Sequence, residues 1–277
     1  MRSRRWLAAL ATMVVGTAVL VVAAPWAGGS QSIPLPSSMA STGDSITRAF
    51  DATWSHLLSD SPRYSWSTGS DSRVDSQYLR ILAVNPAIRG HAYNHARTGA
   101  TMADLDGQVR AAAGERVQYL TVLMGGNDLC GASSAMTSTS TFRAEFSKSL
   151  SDFFAADPGA HVFVSSIPNV FQLWKMLHDH WTAELTWRLG RICPSLLSWS
   201  ESATQRQAVA AQEQAYNAAL ASVCAHYSRC RWDGYAVYRL PLTADDISRG
   251  DHFHPSIAGQ NALAETTWSA GFWPTVQ

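Results

Sequence analysis

Ser41-Thr42-Gly43-Asp44-Ser45-Ile46-Thr47 is the stretch from which the rest of the chain can be read. A weak apolar strand, Ser38 to Thr42, leads into it, and a helix-like run, Arg48 to Ser59, follows. Gly43 permits a tight bend that most residues resist. Ser45 then falls near the first turn of the following helix, where free N–H groups and the positive dipole end favour developing negative charge. Taken alone, a serine at such a corner reads as a helix cap. Features far along the chain change that reading.

Strand and helix signals alternate outward from this corner. Val74 to Val84 carries apolar residues at helical spacing, and Arg89 to Ala96 reads as a short strand ending in Arg97-Thr98-Gly99. Thr101 is a candidate cap for a helix running to Ala113. Val117 to Met124 is the clearest buried strand and stops at Gly125-Gly126-Asn127-Asp128. Phe142 to Ala156 is helical, His161 to Ile167 is a strand, and Thr204 to Ala225 is a long helix. Arg229 to Tyr238 is the last strand, and Ile257 to Trp268 the closing helix. Five strand-then-helix repeats predict an α/β fold, a parallel sheet covered on both faces. Function in such open sheets gathers beyond the carboxyl ends of the strands. Gly43-Asp44-Ser45, Thr98-Gly99 and Gly126-Asn127 all fall at predicted strand ends, and Asp251-His252-Phe253-His254-Pro255 lies in the loop after the last strand. If the sheet forms, these four segments meet on one edge. Val170 to Ser200 is aromatic and mostly helical, with Trp174, Trp181, Trp187 and Trp199. It reads as core and cover helices or, more sharply, as a lid or acyl-chain wall beside a cleft.

The chain has 277 residues, 46% of them hydrophobic, which suits one sizeable domain. Met1 to Arg5 is basic, Trp6 to Ala24 apolar and free of acids, and small residues follow, the pattern of an export signal. The expected organisation is a signal over 1–27, with an uncertain cleavage point, a linker over 28–37 and a folded domain over 38–277. The apolar run is also just long enough to cross a bilayer, so an uncleaved, outward-facing anchor is the alternative to secretion. No second apolar span follows it. Three of the 21 basic residues lie in the leader, leaving 18 against 21 acids, and no Lys/Arg block argues for nucleic acid as partner. The expected state is a monomer. Four cysteines fit an oxidising compartment and allow three pairings. Cys224 and Cys230 are close enough to clip a helix end to the next strand, which leaves Cys130 with Cys193. No Cys-x-x-Cys pair suggests zinc.

A serine hydroxyl becomes a useful nucleophile when a base takes its proton, and a histidine base needs a partner to hold its tautomer. Asp251 and His254 are three residues apart, so one turn lets the carboxylate reach Nδ1 and leaves Nε2 for Ser45. Pro255 is then placed to start the next helix. Asp-x-x-His by itself also reads as a surface turn or half a metal site, and His252 with His254, perhaps joined by His178-Asp179-His180, keeps a metal-dependent rival open. Acyl transfer further needs donors aimed at an oxyanion. Gly99 N–H, Asn127 Nδ2 and Ser45 N–H are the candidates, each with a plain reading as a turn or loop residue. Asp44 and Asp128 read as loop braces.

Together these segments resemble, in order and spacing, the SGNH or GDSL hydrolase family. Gly43-Asp44-Ser45-Ile46 is similar to its first block, with Ile in place of the usual Leu. Asn94 to Thr101 resembles the second, Gly125-Gly126-Asn127-Asp128 the third and Asp251 to Pro255 the fifth. The resemblance implies a three-layer α/β/α sandwich of flavodoxin-like type with about five parallel strands. It implies Ser45 as nucleophile, His254 as base, Asp251 as its orienter, and Ser45, Gly99 and Asn127 as the oxyanion hole. No cofactor is implied. The implied activity is hydrolysis of carboxylic esters of lipids or small alcohols. Gly-Gly-Asn-Asp-Leu-Cys is also similar to the third block of secreted phospholipase B-like and lipase-like members, so lysophospholipids fit. Acetylated sugars fit the same parts, and a silent exported binding module is the non-enzyme alternative. The α/β-hydrolase reading fails because the chain has no Gly-x-Ser-x-Gly pentapeptide.

Overall fold

The computed structural model describes residues 33–131 and 136–276. The expected signal and the first half of the expected linker, residues 28–32, lie outside them. Ile33 and Leu35 pack against a buried cluster, and Trp273 Nε1 donates to Ile33 O at 2.8 Å, so the chain is held to the domain from Ile33 onward. Five strands, β1 (Met39–Gly43), β2 (Ala92–Asn94), β3 (Tyr119–Leu123), β4 (His161–Val164) and β5 (Cys230–Trp232), form one parallel sheet in the order β2-β1-β3-β4-β5. The order reverses at β1, which creates a crevice between the carboxyl ends of β1 and β3.

Strand alternation sorts side chains onto two faces. Ala40, Leu120, Val122, Val162 and Val164 pack under α2 (Leu105–Gly114), α4 (Thr139–Ala156) and α8 (Ala203–Cys224). Met39, Tyr119 and Phe163 face α1 (Gln77–Val84) and α9 (Ile257–Ala270). These layers make the three-layer sandwich. The short α3 (Gly126–Leu129) follows β3, and α5 (Val170–Leu177), α6 (Trp181–Gly190) and α7 (Pro194–Leu197) fill the aromatic stretch. Among the described residues no helix is long and apolar enough to cross a membrane.

Three expectations are corrected. No regular helix covers Arg48 to Ser59: one irregular turn follows Ser45, ended by left-handed Ala49 (φ 48°) and Asp51 (φ 55°). Asp51 then gathers the loop, its carboxylate accepting Leu58 N–H and its backbone N–H donating to Ser59 O. The last strand is three residues long, because the Asp233 carboxylate accepts the N–H groups of Tyr235 and Val237 and turns the chain away. Pro255 precedes α9 instead of starting it: Ser256 is the cap, its hydroxyl accepting Gly259 N–H at 3.2 Å. The disulfides are Cys130–Cys193 and Cys224–Cys230.

Candidate active site

Ser45 sits two residues beyond β1 and is 6% exposed. The bend that carries it needs a glycine. A Cβ at Gly43 (φ 150°) would lie 2.5 Å from both Leu123 O and Thr47 Oγ1. A buried amide grips the same residue: Gly43 N–H donates to Gln108 Oε1 at 2.7 Å, and Gln108 Nε2 donates to Gly43 O at 2.9 Å. Just beyond Ser45, Gln260 of α9 accepts Trp66 N–H and donates to Ile46 O. The serine is thus held by backbone anchors.

His254 comes from the loop before α9. Ser45 Oγ lies 2.7 Å from His254 Nε2, and His254 Nδ1 donates to Asp251 Oδ2 at 2.5 Å. The other carboxylate oxygen accepts the N–H groups of Phe253 and His254 at 2.9 and 3.0 Å. Burial alone would raise the Asp251 carboxyl, but these hydrogen bonds and the imidazole outweigh it and hold the group below its ordinary value. Phe50 and Phe253 rings flank the imidazole, each 5.0 Å from it. Ser248 ties the loop down, its N–H donating to His254 O and its hydroxyl to Asp51 O.

Asn127, at the start of α3, spends one amide hydrogen on Ala100 O at 2.8 Å, which joins the β3 end to the Gly99 turn. Among the described residues no acceptor takes its second amide hydrogen. Among the described residues no protein acceptor takes the N–H of Ser45 or of Gly99. The structure therefore brings the predicted Ser45, His254 and Asp251 into one hydrogen-bonded chain. At the three expected oxyanion positions it leaves donors that no acceptor among the described residues takes.

Asp44 and Asp128 brace loops. Asp44 accepts Ile46 N–H, and Asp128 accepts Met102 N–H and the Thr137 hydroxyl. Burial pushes both carboxyls up to about 6. Among the described residues no three His, Cys, Asp or Glu side chains converge as a metal site requires.

A cleft enclosing about 630 Å³, counting its open mouth, runs from Ser45 and Asn127. Its wall is Ile46, Ile167, Val170, Leu173, Leu242 and Phe253. The tryptophans singled out from the sequence do not line it. Trp181 is 75% exposed, and Trp174 stacks on His178 beneath Arg206. Sequence reading also passed over Gln108, Gln260 and Ser248, whose partners lie 65 to 214 residues away and leave no local signal.

A buried serine–imidazole–carboxylate chain thus lies at the switch point of the parallel sheet. The chain belongs to the GDSL-like Lipase/Acylhydrolase family, whose profile matches residues 42–262. No curated protein matches it in sequence. Solved structures share the fold at low identity. A protein from Parabacteroides merdae provisionally named a GDSL-like lipase superposes at TM-score 0.55 and 12% identity, over 86% of this chain and 95% of its own. The acetyl xylan esterase AlAXEase superposes at TM-score 0.52 and 13% identity, over 84% and 98%. Phospholipase A1 from Streptomyces albidoflavus superposes at TM-score 0.50 and 14% identity, over 84% and 99%.

Proposed function

We propose that this protein is an exported serine ester hydrolase that cleaves carboxylic esters with an apolar acyl group. The observation that carries the reading is the Ser45–His254–Asp251 hydrogen-bond chain, beside donors that no acceptor among the described residues uses. Ser45 Oγ attacks the ester carbonyl as His254 Nε2 removes its proton, and Asp251 holds the imidazole in the required tautomer. The oxyanion accepts hydrogen bonds from Ser45 N–H, Gly99 N–H and Asn127 Nδ2. His254 protonates the departing alcohol, then takes a proton from water, which attacks the acyl-enzyme and releases the acid.

The apolar cleft beside Ser45 favours an acyl chain over an acetyl group. Two disulfides support an oxidising destination. The test compares p-nitrophenyl acetate, butyrate and octanoate with acetate release from acetylated xylan. Turnover of the chromogenic esters is expected to drop at least about a thousandfold in Ser45→Ala. Parental activity in that variant would remove the mechanism, and preference for acetylated xylan would return the carbohydrate reading.

A further inference from the structure

We propose that Trp181–Leu197 is a strap that positions both halves of the reacting site, with Trp187 as the positioning residue for the His254 loop. The inference rests on the ester-hydrolase reading above. Ala183 and Trp187 form the buried face of α6, and Trp187 is 2% exposed. Its indole Nε1–H donates to the carbonyl of His252 at 3.1 Å. His252 lies between the carboxylate and the imidazole of the proposed triad and adopts a left-handed backbone, φ 56°. That conformation carries a steric cost for a residue with a Cβ, which surrounding contacts offset. With the His252 carbonyl held, Phe253 N–H and His254 N–H both reach Asp251 Oδ1, and the imidazole meets Oδ2.

The far end of the strap grips the opposite side. Cys193 is bonded to Cys130, three residues after Asn127. Ser195 Oγ–H donates to Leu129 O at 2.5 Å, and Ser195 N–H donates to Gly131 O at 3.1 Å. One segment is therefore fastened to the loop carrying the base and to the loop carrying an oxyanion donor. Displacements near 1 Å between reacting groups cost up to about a hundredfold in rate, so such a tie acts on turnover more than on substrate affinity.

The test measures kcat and KM on p-nitrophenyl butyrate, and the rate at which a fluorophosphonate labels Ser45. The proteins are Trp187→Phe, Cys130→Ser/Cys193→Ser and a control, Trp268→Phe. The control also loses an indole hydrogen bond, that from Trp268 Nε1 to Val276 O, on the other face of the sheet. Trp187→Phe is expected to lower kcat about tenfold with KM within about twofold, and to slow labelling by the same factor. The cysteine pair is expected to lower kcat by about threefold or more, while the control keeps parental kcat. Parental kcat and labelling in Trp187→Phe, or an equal loss in Trp268→Phe, would overturn the strap. If Trp187→Phe fails to fold, the cysteine pair decides, and its unchanged kcat overturns the proposal. A parent that neither turns over esters nor labels fails before any variant is made, and that result sinks the ester-hydrolase reading itself.

Discussion

Ser45 owes its place to its neighbours. Gln108 satisfies both backbone groups of Gly43 from 65 residues away, and Gln260 satisfies Ile46 O from the closing helix. Gln108→Ala leaves a buried N–H and C=O without that partner, so a loss of about 2–3 kcal/mol is expected, read from the urea midpoint. Activity is expected to fall with it, because the freed bend carries the proposed nucleophile. Asn127→Ala removes a proposed oxyanion donor together with the tie to Ala100 O, and kcat on butyrate is expected to fall about a hundredfold or more. Wild-type kcat in that variant would leave the oxyanion to the two backbone donors alone.

At the scale of elements, α5 is the one that shapes the cleft. Its first turn supplies Val170 and Leu173 to the wall. Its start is pinned from α8, where Glu213 accepts Val170 N–H and Asn217 accepts Ile167 N–H. Burial holds the Glu213 carboxyl well above its ordinary range. Leu173 and Ser45 line the same cleft, so a larger side chain at Leu173 takes up acyl-chain space. Leu173→Trp is therefore expected to lower kcat/KM for octanoate by about tenfold and leave acetate within about twofold. Equal losses on both esters would mean that the acyl chain lies elsewhere.

Across the whole molecule, buried carboxylates make stability depend on pH. Asp128 titrates at about 6 in the fold, against 3.8 for the ordinary group. Between these values the folded chain binds the extra proton, so this group's share of stability grows as pH falls from 7 towards 4 and is lost as pH rises through about 6. Asp44 acts with the same sign. Asp251, held low, acts oppositely, and its contribution disappears only as pH falls below the ordinary carboxylate range. Asp128→Asn changes the Met102 and Thr137 hydrogen bonds at every pH but abolishes the titration. Relative to the parent, the variant is expected to be more stable at pH 7 than at pH 4.5 by on the order of 2 kcal/mol, read from paired denaturation curves. Parallel curves would mean that Asp128 does not titrate in that interval.

Amino-acid order alone determined the layers and the meeting place. The near-continuous apolar run from Val117 to Met124 marks a strand buried on both faces, and glycine-polar corners after three strands mark one edge of the sheet. Both signals are local, set by neighbours a few residues apart. Ser45, Gly99, Asn127, Asp251 and His254 were legible for that reason. Tertiary structure decided what holds and shapes that edge. Left-handed Ala49 and Asp51 replace the helix expected after Ser45, and the Asp233 carboxylate cuts the last strand to three residues. Gln108, Gln260, Ser248 and Trp187 find backbone partners 65 to 214 residues away, and Val170 and Leu173 line the cleft in place of the tryptophans. Such contacts arise only when packed layers settle into register, because a hydrogen bond tolerates a few tenths of an ångström and no pattern along the chain encodes that distance.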